Sequence, residues 1–90
     1  MDEQQIQAEI ERLEDRQREL RLREGELAEQ PEAVAPLRDE LEKLHVELDR
    51  LWDLVRQRRA RRHAHLDPDG AKLRSARVVL RTTSPLTFET

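Results

Sequence analysis

The chain lacks cysteine and tyrosine, has one tryptophan and one phenylalanine, and contains only two glycines in 90 residues. Without cysteine there is no disulfide framework, no thiolate metal ligand and no thiol nucleophile. With 41% charged against 36% hydrophobic residues and almost no aromatics, a broad globular core is excluded, so burial must come from narrow seams. No apolar run is longer than the few residues of Val78-Val79-Leu80, and the start, Met1-Asp2-Glu3, lacks the basic, apolar, small-residue order of a secretion signal. A protein of a reducing cytoplasm, with no membrane insertion, is the expectation.

What the sequence does contain is periodic. Ile6, Ile10, Leu13, Gln17, Leu20, Glu24 and Leu27 follow steps of four and three, the spacing of one narrow helix face. Asp2 with Gln5 three residues on forms a capping-box pattern, so a helix is expected over about 3–24. Gly25, Pro31 and Pro36 then mark a break over about 25–35. Val34, Leu37, Leu41, Leu44, Leu48, Leu51 and Val55 repeat the pattern in the opposite phase, giving a second helix over about 36–64.

Running the two faces antiparallel sets Ile6 opposite Val55, Ile10 opposite Leu51, Leu13 opposite Leu48 and Leu20 opposite Leu41 in one constant register. The fold class is therefore all-α: an antiparallel two-helix hairpin, coiled-coil-like, occupying 1–65. Two chains pairing in trans would give the same facing. The second helix overhangs the first, and 66–90 is expected to be a turn and a flexible tail. Asp67-Pro68-Asp69-Gly70 has the type I turn pattern, and 77–83 is a short β-prone run.

Charge is polarised along the chain. Residues 1–55 carry 8 basic and 17 acidic side chains, and residues 56–90 carry 9 basic and 3 acidic. The sharpest feature is Arg56, Arg58, Arg59, Arg61 and Arg62, whose planar guanidinium groups suit bidentate contacts to carboxylate or phosphate. A helix end beside Asp2 and Glu3 uses one or two cations to balance its dipole; this one has five. Beside them, Val46, Trp52 and Leu54 broaden the apolar stripe beyond what one partner helix covers. Either the tail folds over them through Leu73 or 78–80, or they form a docking surface for a second copy or another protein.

Catalysis has little to build on, since no patterned Ser, His and carboxylate set and no Gly-rich phosphate loop occurs. His63, His65 and Asp67 would converge on a metal only in an extended backbone, so no metal and no cofactor is expected. Glu24, Glu26, Glu29 and Glu32 crowd the hairpin tip. Such a tip is similar in outline to transcript-cleavage factors of the Gre type, although a solvated loop is the expected role.

The segment 47–62, with its Trp52-Asp53-Leu54 core and arginines, followed by Asp67-Pro68-Asp69, resembles a small actinobacterial family of helical proteins of unknown function. The resemblance covers about two-thirds of the chain and implies a helical protein of a bacterial cytoplasm, with no activity to carry over. The expected function is a non-enzymatic protein-interaction module or small regulator. It docks through Val46, Trp52 and Leu54 and through the arm of Arg56, Arg58, Arg59, Arg61 and Arg62, with self-association as a dimer. The alternative is a regulator associated with nucleic acid, ribosome or RNA polymerase, in which the same arm contacts phosphates.

Overall fold

A computed structural model describes residues 1–83, with side chains to Val79. Helix α1 spans Glu3–Glu26, α2 spans Pro31–His63 and α3 spans Ala76–Thr83, with a single 3-10 turn at Pro68–Gly70. The two long helices pack against each other, and the turn and α3 fold back on α2.

The start of α1 is fixed by local chemistry. The Gln5 N–H donates to Asp2 Oδ1 at 2.8 Å, and the Asp2 N–H donates to Gln5 Oε1 at 2.8 Å, so two helix-end donors are satisfied reciprocally. Asp2→Ala should lower the unfolding free energy by about 1 kcal/mol. A urea titration followed by circular dichroism checks this.

The connection is shorter than the prolines suggest. Gly25 lies inside α1 without a positive φ, and Leu27 closes the helix, its N–H bonded to the Arg23 carbonyl at 3.0 Å. Pro31 then opens α2, where a residue without an N–H loses nothing because first-turn donors have no helical acceptor. Pro36, expected to start the helix, sits within it. Its missing bond would have gone to the Glu32 carbonyl one turn earlier, and both residues are exposed, so the loss falls on the solvent side of the helix, where it costs least. The expected loop over 25–35 thus contracts to 27–30.

The seam follows the register read from spacing. Ile6, Ile10 and Leu13 of α1 join Leu48, Leu51 and Leu54 of α2 in one cluster, with Leu44, Val55 and Ala71 packed against it. The hairpin is therefore closed within a single chain. Leu20 and Val34 are buried toward the tip, and half-buried Gln17 separates the two apolar zones. Arg16 grips Glu40 through Nε at 2.8 Å and Nη2 at 3.2 Å, and Arg38 Nε meets Glu24 at 2.8 Å. Exposed pairs of this kind fix register more than they stabilise.

Past α2 the chain reverses sharply. His65 is the one non-glycine residue with positive φ among those described, at 61°. Its N–H bonds the Arg62 carbonyl at 3.0 Å, and the Leu66 N–H bonds the Arg61 carbonyl at 2.7 Å. That pair of bonds is a Schellman termination, a place usually held by glycine. The Asp67 carboxylate accepts from the Asp69 N–H at 3.0 Å, and the Gly70 N–H donates to the Asp67 carbonyl at 3.1 Å, closing the expected turn.

The β-prone run departs from its propensity. Residues 76–83 form α3, the Ser75 carbonyl accepts from both the Val78 and Val79 N–H groups at 3.1 Å, and Val79 is fully buried. Packing against α2 rewards an apolar face at helical spacing, and this overrides the weak strand preference of two valines. The order expected of the tail beyond residue 83 concerns residues outside those described.

Candidate functional site

Between residues 44 and 63, α2 presents three stripes, each stepping by four and three. Leu44, Leu48, Leu51 and Val55 face α1. Val46, Arg50, Asp53 and Gln57 face the returning tail. Trp52, Arg56, Arg59 and His63 form the third stripe, and all four are exposed.

The tail does fold back on α2, but it docks through the polar side chains of this second stripe rather than over Trp52. Asp53 is only 2% exposed. Its carboxylate accepts from Arg74 Nε at 2.8 Å and closely from Arg74 Nη2, and from Gln57 Nε2 at 2.9 Å. The hydrogen bonds from Arg74 hold Asp53 below the usual carboxylate range; burial opposes this, and Gln57 and the charge of Arg56 assist. Gln57 also reads the tail backbone in both directions, donating to the Lys72 carbonyl at 2.7 Å and accepting from the Lys72 N–H at 3.2 Å. One turn earlier, Arg50 Nε donates to the Arg74 carbonyl at 2.9 Å.

Of the five arginines, three are occupied within the chain. Arg58, 7% exposed, directs Nη1 to Asp69 Oδ1 at 3.0 Å and to the Met1 carbonyl at 3.2 Å, tying the turn to the start of α1. Its Nε is buried without a hydrogen-bond partner. Arg61 Nε donates to the Asp67 carbonyl, and its guanidinium lies where a Cβ at Gly70 would collide with it. Arg62 pairs with Glu3. The expected projecting arm is therefore largely a clamp on the turn and on α1. Arg56 and Arg59 make no hydrogen bond or ion pair among the described residues.

The apolar candidates separate in the same way. Leu54, expected to meet a partner, is instead a core residue packed with Ile6 and Ile10. Its position three residues after Leu51 puts it at the junction of α1, α2 and Ala71. Val46 is half-buried on the tail-facing stripe, away from Trp52. Trp52 alone stays open, at 38% exposure, because the tail covers the opposite side of α2. Next to this stripe, an open pocket of about 200 Å³ is floored by Ile6 and Val55 and rimmed by Arg59, Arg62 and Glu3.

No group of three or more His, Cys, Asp or Glu side chains is placed to hold a metal ion among the described residues. Among the same residues, no helix is long and apolar enough to cross a membrane.

These features define an all-helical hairpin with a tail locked along one face and an aromatic and cationic stripe left open on another. The chain belongs to the family described as Protein of unknown function (DUF2630), which matches residues 2–81. The match extends past the Asp-Pro-Asp turn, where the sequence resemblance ended, and takes in most of the docked tail. Neither the curated proteins nor the solved structures contain a match.

Proposed function

We propose that the protein is a non-catalytic interaction module of a bacterial cytoplasm that docks an acidic partner protein on the Trp52, Arg56 and Arg59 stripe. The carrying observation is the division of labour among the arginines: Arg58, Arg61 and Arg62 are spent inside the chain, whereas Arg56 and Arg59, beside an exposed tryptophan, make no ion pair among the described residues. A large aromatic next to arginines is the composition of an interface hot spot. The partner that fits is a helix offering an apolar recess to Trp52 and carboxylates one and two turns along, with charge setting orientation and encounter rate.

A phosphate-gripping arm has less support. Among the described residues three of the five guanidinium groups are already engaged, and the surrounding chain carries a net charge of −3.

Capture from a bacterial lysate after nuclease treatment identifies a candidate partner, and calorimetry with the purified pair then tests the surface. Trp52→Ala should weaken binding about 30-fold or more, and Arg56→Glu with Arg59→Glu should abolish it while helicity is retained. If nuclease strips everything from the captured protein, or affinity falls steeply and linearly with log salt, the phosphate alternative wins. Unchanged affinity in both variants rejects the stripe.

A further inference from the structure

The contacts that hold the tail are those of a peptide seated in a recognition groove. Gln57 bonds both backbone groups of Lys72, Arg50 takes the Arg74 carbonyl, and Asp53 takes the Arg74 side chain. All of the receiving groups lie on α2 and all of the seated groups lie beyond residue 67, with only the reversal at 64–66 between them. The pivot of that reversal, His65, is held at a φ of 61°, which a residue with a Cβ adopts at a cost.

We propose that this groove also accepts the tail of a second copy of the chain, so that two molecules exchange the segment 67–79 reciprocally. Rotation of His65 into the helical region extends α2 from His63 to Leu66. There Asp67, preceding Pro68, stops it. The tail then points away from its own groove and meets the vacated groove of an antiparallel partner, where every bond to Arg50, Asp53 and Gln57 is remade. The α1–α2 contacts are kept, the partner's Ala71 takes the place of the chain's own against the cluster, and the left-handed residue is relieved in both chains. Such exchange about a short, strained hinge is a low-cost route to a closed dimer. It uses the stripe on the other side of α2 from Trp52, and its outcome is independent of the docking proposed above.

Complementation provides the test. Asp53→Arg and Arg74→Asp each place like charges at the groove, so each variant alone should be monomeric by light scattering. Mixed in equal amounts, the two satisfy both grooves only if tails cross between chains, and a dimer containing both should form. If arginine at the buried position unfolds the hairpin, Gln57→Cys and Lys72→Cys chains, added to a sequence without native cysteine, should yield a disulfide joining unlike chains, with like-chain products nearly absent. In the wild type, dimer association should fall at least about tenfold on His65→Gly, because glycine makes the closed hinge unstrained. A mixture that stays monomeric, statistical disulfide pairing, or a His65→Gly chain that dimerises as well as the wild type overturns the exchange.

Discussion

Ile10→Ala is expected to lower the unfolding free energy by about 3 kcal/mol, measured by urea denaturation of the isolated chain. Ile10 is completely buried at the centre of the main apolar cluster among the described residues, between Ile6 and Leu13 on its own helix and Leu48, Leu51 and Leu54 across the seam. Removing its outer carbons leaves a void that two long rods cannot close without losing contacts on either side. A helical chain of this size has little stability in reserve, so a loss of that order should leave much of the population unfolded near physiological temperature. Leu22→Ala, at a highly exposed position on the same helix, is the matched control and should change little. Equal losses at the two positions would show that the cluster is not the seat of stability.

Asp53→Ala should cost about 2 kcal/mol by removing the acceptor that Arg74 and Gln57 share. The loss should be felt unevenly. Hydrogen exchange should accelerate through Ala76–Thr83 while α1 keeps its protection, because only the tail depends on this carboxylate. The same group sets an acid limit. Its folded-state pKa lies below the unfolded value, so the stability it supplies is fully present above about pH 4 and is lost as pH falls through the lower folded value. Acidification should therefore release the tail over a range in which the wild type is affected and Asp53→Asn is not. A tail that detaches equally in both would place the titrating group elsewhere.

The hairpin was legible because its information is local and repetitive. Fourteen positions at steps of four and three specify two faces, and a single register satisfies both. The exact turn was not, because proline has two readings near a helix start. Pro31 occupies the first position, where it is preferred, and Pro36 is tolerated one turn further in, where only solvent contests the lost bond. The arginine cluster was visible as composition, and the antiparallel register already set Glu3 beside it, where Arg62 pairs. The claims of Asp69 on Arg58 and of the Asp67 carbonyl on Arg61 were not visible, because those groups arrive only after the chain has reversed. Asp53 stands out in the sequence only as the middle residue of the Trp52-Asp53-Leu54 core. Its distinguishing mark is the spacing of Val46, Arg50, Asp53 and Gln57 along a third stripe, which gains meaning once Arg74 returns to meet it.

One indole in the whole molecule, set on a side of α2 that among the described residues neither α1 nor the tail covers, makes the protein its own optical reporter. Any body that seats there must dehydrate the open part of the ring and shift its emission to the blue, whereas loosening of the tail on another face leaves that part as exposed as before. Occupancy can therefore be followed in unlabelled protein, at natural composition, by a signal that arises at the surface in question.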